Sequence, residues 1–166
     1  MSKTAKPCSS DQDWFFEDYQ KGTVFEMGPI YVEKDELIEF ALRYDPQPMH
    51  TNPESAKTGP YKGLIASGWH TCALVMSELV KNYFYPSSSL GSPGIDELNW
   101  LKPVRPGDRL TVRATILETK LSSSKPDRGL VLTRVEASNQ HQETVISFKA
   151  LNFMLRRRFS LEKKLN

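Results

Sequence analysis

Histidine and cysteine are scarce in this chain. Its 166 residues include three histidines and two cysteines, Cys8 and Cys72. Neither cysteine has a partner at ligand spacing, so neither a disulfide framework nor a zinc site is expected. Cys72 lies in an apolar helical run, where a small core residue is the plain reading. A surplus of one charge is also lacking. The net charge is +2, which leaves no electrostatic case for a nucleic-acid partner. No apolar run is long enough to span a bilayer. The lysines of residues 1–13 are not followed by the apolar stretch of a secretory signal, and a cytoplasmic setting is expected. There is no phosphate-cradling glycine loop and no serine nucleophile elbow. No cofactor is expected from any of these patterns.

What is present is the balance of a globular domain, with 39% hydrophobic and 25% charged residues. The length suits one domain with a real core. Residues 1–13 are polar and expected to be disordered, with order beginning at Trp14-Phe15-Phe16. The domain is expected over 14–157, with a basic tail over 158–166. The basic cluster of Arg156, Arg157, Arg158, Lys163 and Lys164 reads as a solvated terminus, or else as a contact for an anionic ligand or a neighbouring subunit.

Thr23 to Met27 reads as a strand, interrupted by Gly28-Pro29 and resumed at Ile30-Tyr31-Val32. Lys34 to Tyr44 reads as an amphipathic helix, because Leu37, Phe40 and Ala41 share one face. Pro46 ends it and leaves Asp45 just past its C-terminus. A short second helix is expected from Thr51-Asn52-Pro53-Glu54, with Thr51 or Asn52 as cap and Glu54 as capping-box partner, so that His50 precedes a helix N-terminus. The longest helix spans about Ser67 to Tyr83. Trp69, Cys72, Ala73, Met76, Val80 and Tyr83 form a wide apolar face, extended by Leu74, Val75 and Leu79, with His70 on the polar edge, and the helix is expected to be buried. Strands follow at Arg109–Ile116, Gly129–Ala137 and Thr144–Leu155, with a turn near Asn139-Gln140-His141. Helices first and a strand meander last indicate an α+β domain in which an antiparallel sheet wraps one helix.

Chemistry concentrates in Tyr44-Asp45-Pro46-Gln47-Pro48-Met49-His50. An acid and an imidazole stand five residues apart on a loop stiffened by two prolines, as a general acid/base pair requires. A carboxylate past a helix C-terminus meets the unfavourable end of the dipole, and a histidine before a helix N-terminus is biased to neutrality. Such conflicts with stability mark functional sites. Structure alone offers another account, with Asp45 as a turn residue and His50 as a packing histidine. The second feature is Gly63-Leu64-Ile65-Ala66-Ser67-Gly68-Trp69-His70. Small residues at the start of a buried helix leave N–H groups that can hold an oxyanion. An ordinary Ser67 cap with Gly68 for close packing explains the same residues.

Taken together, Asp45-x-x-Pro48-x-His50, then Gly63 to Gly68 and a buried helix, resemble the MaoC-like, (R)-specific enoyl-CoA hydratase branch of the hot dog fold. The run Leu98 to Leu110 resembles the strand–turn–strand after that family's central helix. The resemblance implies that Asp45 and His50 activate water for addition to a trans-2-enoyl thioester, or for the reverse dehydration. It implies that the N–H of Gly68 or a neighbour holds the enolate-like oxygen, with Ser67 supporting through a hydrogen bond. The substrate is then an acyl-CoA or acyl-carrier thioester, coenzyme A being part of the substrate. Tyr44 and Gln47 depart from the glycine and asparagine usual in the motif, and so point to a changed acyl pocket or water position. Trp69 is a candidate for the pocket wall, or plain core. Lys57, Lys62, Lys102 and Arg105 are candidates for the coenzyme A phosphates. His70 reads as structural, His141 as exposed, and Asp96 and Glu97 as surface charges. Thioester hydrolysis on the same oxyanion donor, and non-catalytic acyl-CoA binding, are the alternative activities. A homodimer is expected, because a single hot dog sheet leaves an edge to cover.

Overall fold

A computed structural model of the chain describes Thr4–Ala5 and residues 13–160. Cys8, Lys163 and Lys164 lie outside the described residues, as does most of the segment expected to be disordered. Within that segment, however, Thr4–Ala5 forms a two-residue strand (β1) that pairs parallel with Val24–Phe25. The outer edge of the following strand offers unpaired backbone groups, and β1 takes some of them.

The 3-10 turn Phe16–Asp18 leads into β2 (Val24–Tyr31). Then come α1 (Lys34–Tyr44), α2 (Pro48–Thr51), α3 (Pro53–Thr58) and α4 (Gly68–Asn82). The rest is β3 (Gly94–Trp100), β4 (Arg109–Leu121), β5 (Arg128–Ser138), β6 (Thr144–Leu155) and a terminal turn, α5 (Arg157–Ser160). The sheet order is β1-β2-β4-β5-β6-β3, antiparallel except at β1. The sheet packs on α4 in the hot dog arrangement. Leu74, Val75 and Leu79 of α4 join Phe25, Val112, Val135 and Phe148 of the strands in one core. Each such side chain contributes about 1.5–3 kcal/mol by leaving water.

The break expected at Gly28-Pro29 is a bulge inside β2, between Met27 and Ile30. Gly28 has φ +112°, and a Cβ there would lie 2.8 Å from the Leu110 carbonyl oxygen. Only glycine fits both demands. Trp14 packs edge-on against Tyr19 and Phe25.

Four expectations need correction. The helix expected after His50 is α3, but His50 does not stand in a loop before it: it is the third residue of a separate turn, α2, which Pro48 opens at its first position. No capping box forms at Thr51 and Glu54. Asn52 caps α3 by accepting from the Glu54 and Ser55 N–H groups, and Glu54 pairs with Lys57 instead. Only part of the apolar face expected for α4 is buried, namely Leu74, Val75, Leu79 and Tyr83. His70 and Thr71 are buried, while Trp69, Met76 and Val80 are about half exposed. The sheet meets the Thr71-Val75-Leu79 stripe, while on the other Trp100 packs against Trp69 and Met76 and Val80 stay half exposed. Lastly, the basic run is not simply solvated. Arg156 bonds Glu17, Arg157 pairs with Asp18, and the Arg157 guanidinium lies 4.9 Å from the Phe15 ring centroid. The chain end is thereby tied to the first turn.

Candidate active site

Asp45 caps α1, its N–H bonding the Ala41 carbonyl at 2.9 Å. Its carboxylate therefore faces the negative end of the helix dipole, and two donors offset this. Gln47 Nε2 donates to Asp45 Oδ1 at 2.7 Å, and Ser67 Oγ donates to Oδ2 at 2.7 Å. Gln47 first, then Ser67, hold the carboxyl below its usual range against the effect of partial burial, and His50 adds a smaller attraction. Asp45 stays ionised and aimed.

His50 is buried, and its Nδ1 lies 2.9 Å from the Ile65 carbonyl oxygen. A carbonyl can only accept, so Nδ1 carries a proton, and in its neutral form His50 presents a bare Nε2. That atom lies 3.5 Å from Asp45 Oδ2. The two acceptors thus sit side by side, too far apart for a strong mutual bond, on one cavity. A single water can donate one hydrogen to each, which leaves its lone pairs facing the cavity.

Ser67 is fully buried and works in both directions. It donates to Asp45 and accepts from the Trp69 N–H at 3.3 Å, capping α4. The Gly68 N–H has no acceptor among the described residues. Gly68 lines the same cavity of about 430 Å³ as Asp45, His50, Trp69 and Trp100. An unpaired N–H at the start of a 15-residue helix is a donor for developing negative charge.

Trp100 escapes sequence reasoning. Its indole N–H donates to the Gly68 carbonyl at 2.9 Å, and a Cβ on Gly68 would lie 2.6 Å from the ring. Trp69 meets Trp100 edge to face at 5.4 Å. Position 68 must be glycine because of an indole 32 residues away, a requirement that local spacing does not reveal.

The other candidates scatter. Tyr44 does not line the cavity. It is 60% exposed on the last turn of α1, between Phe40 and the Arg43 guanidinium, while Gln47 beside it bonds Asp45 directly. Lys102 lines the cavity but pairs with Glu143, and Arg105 donates to the Tyr61 carbonyl. Lys57 is held by Glu54, and Lys62 is exposed in the loop before α4. His70 is buried against Phe40 and away from the cavity. His141 is exposed in the β5–β6 turn, as are Asp96 and Glu97 on β3. Cys72 is half-buried beside Trp100, and burial pushes its thiol up. Among the described residues no group of three histidine, cysteine or acidic side chains is placed to hold a metal ion. No helix among them is long and apolar enough to cross a membrane.

Comparison with known proteins agrees with this fold. The MaoC-like domain model matches residues 18–140. The chain belongs to the MaoC-like dehydratase family. A solved MaoC-like dehydratase from Rhodospirillum rubrum superposes with a TM-score of 0.81 at 37% identity, covering 87% of this chain and 99% of that one. An (R)-specific enoyl-CoA hydratase of the same organism is 30% identical over 115 residues, which is 67% of this chain and 74% of that protein. The Bacillus subtilis protein YdeM is 28% identical over 129 residues, 78% of this chain and 90% of its own.

Proposed function

We propose that the protein is a hydro-lyase that adds water to, or removes it from, a trans-2-enoyl/3-hydroxyacyl thioester. The observation that carries this reading is the pair of acceptors, Asp45 Oδ2 and His50 Nε2, 3.5 Å apart on a cavity that Gly68 also lines. In the forward direction the held water attacks the β-carbon, and the C–O bond forms as the carbon–carbon π pair moves to the α-carbon and thioester carbonyl. The oxygen that gains charge is held by the Gly68 N–H. One of the pair takes a water proton and passes that proton to the α-carbon, so the enzyme ends unchanged. Asp45 and His50 are the acid/base residues. Ser67 and Gln47 position Asp45. Coenzyme A or an acyl carrier protein enters as the handle of the substrate, and the reaction as written draws on no further cofactor.

The test is loss of enoyl-thioester absorbance on mixing the protein with crotonyl-CoA, beside folded Asp45→Asn and His50→Ala. Turnover that vanishes in both variants supports the reading, and turnover unchanged in both ends it. Free thiol released from a saturated acyl-CoA would replace hydration by hydrolysis.

A second copy of the chain is part of this proposal. β3 is an edge strand with Ile95 about half exposed, and the outward stripe of α4 carries Met76 and Val80, both about half exposed. Unpaired edge groups next to exposed apolar side chains favour a partner of the same kind. Light scattering that gives the monomer mass at micromolar concentration would refute it.

A further inference from the structure

One side of the cavity is lined by a residue the reaction does not need. Trp100 ends β3, and its indole lies flat on the first turn of α4. It touches Gly68 so closely that no side chain fits there, and its edge reaches Cys72 one turn further on. Two contacts hold it. One is the bond to the Gly68 carbonyl at 2.9 Å, and the other is the edge of Trp69 at 5.4 Å. The floor of the cavity is core: Ile65, Val104 and Val145 are all buried. A chain that places its carbonyl at the Gly68 N–H and its β-carbon at Asp45 and His50 therefore meets buried core below and two indoles along α4.

We infer that Trp100, braced by Trp69, is the specificity-determining wall of the acyl pocket and restricts the site to short-chain acyl thioesters. This rests on the thioester reading above. Each methylene that enters an apolar pocket raises affinity about fourfold. In an open groove, affinity would therefore climb by on the order of a hundredfold from a four-carbon to an eight-carbon chain. Against a fixed indole the added methylenes stay in water or force the ring away, and the climb is absent.

The experiment is calorimetric titration of the full chain with saturated butyryl-, octanoyl- and dodecanoyl-CoA, which a hydratase cannot consume. Wild type is compared with Trp100→Ala, and the matching trans-2-enoyl-CoA thioesters are assayed for turnover in parallel. Wild type should bind octanoyl-CoA within about threefold of butyryl-CoA, and Trp100→Ala should bind it at least about tenfold more tightly than butyryl-CoA. Trp69→Ala, at a half-exposed position, carries the same test with a smaller shift if Trp100→Ala does not fold. Wild-type affinity that already climbs with length overturns the inference. So does a variant that changes all lengths by one factor, or a wild type that binds none of the three. If the length switch appears without turnover of any enoyl thioester, the wall stands and hydration falls. If turnover is present with an unaltered length profile in the variants, hydration stands and the wall falls.

Discussion

Ser67 joins the stability of the fold to the charge of the site, so removing its hydroxyl should show both. In Ser67→Ala, α4 loses its cap on the Trp69 N–H, which costs about 1 kcal/mol. Asp45 also loses one of its two donors. A hydrogen bond to a charged group contributes roughly 1.5–3 kcal/mol. The Asp45 side chain keeps 20% exposure, and solvent screening favours the lower end. The expected total is about 2.5 kcal/mol, of which about 1.5 kcal/mol belongs to the Asp45 bond. Urea unfolding of wild type, Ser67→Ala, Asp45→Ala and the double variant isolates that share as the coupling energy of the cycle. The share must also depend on pH. Asp45 is held below its usual range, so its contribution is complete above the unfolded carboxylate value of about 3.9 and is lost as pH falls through the folded value. Coupling should be full at pH 7 and should shrink at the acid end of the native range. A coupling below about 0.5 kcal/mol at pH 7, or one constant with pH, would refute the claim that Ser67 positions an ionised Asp45.

Gln47→Leu removes the other donor, so the acid limb of the pH–rate profile should move upward toward the ordinary carboxylate range, with a smaller loss at pH 7 than in Asp45→Asn. An unmoved limb would remove Gln47 from the site. His70 is buried with neither ring nitrogen hydrogen-bonded, Glu36 lying 3.8 Å away. Burial holds its pKa below the usual imidazole value, and Glu36 opposes this. Stability is therefore present above the unfolded value of about 6.5 and lost as pH falls through the folded one, so melting curves of His70→Leu should be flatter than those of wild type between pH 7 and 5. A Cβ on Gly129 would lie 2.2 Å from the Phe16 ring. Gly129→Ala should cost about 1–3 kcal/mol in urea unfolding, and no loss would mean that the first turn yields freely.

Much of the fold is legible locally. Leu37 and Ala41 share a face, Pro46 blocks continuation, and α1 runs from Lys34 to Tyr44 as expected. In β4 the alternation of Leu110, Val112, Ala114 and Ile116 is the alternation of burial. The helix α4 shows where this reasoning stops. Periodicity finds stripes, but on a helix apolar around most of its girth it cannot say which stripe the sheet will meet. The sheet takes the one with Thr71, Val75 and Leu79, and histidine and threonine are buried while tryptophan and methionine stay at the surface. That choice is tertiary, because it depends on where β2 and the later strands come to lie.

The same division runs through the site. Asp45, His50, Ser67 and Gly68 sit in two short segments and are readable by spacing, because acid/base pairing and a helix N-terminus are local arrangements. The groups that set their states are not local. The Ile65 carbonyl that fixes the His50 tautomer is 15 residues away, and the indole that walls the cavity is 32 residues from Gly68. A motif therefore identifies the class of reaction long before it identifies the substrate. Acid and base must be close in space to act together, and a stiff loop makes them close in sequence too. A pocket wall need only be in the way, and any element of the fold can supply it. On the thioester reading proposed above, β3 supplies it through Trp100.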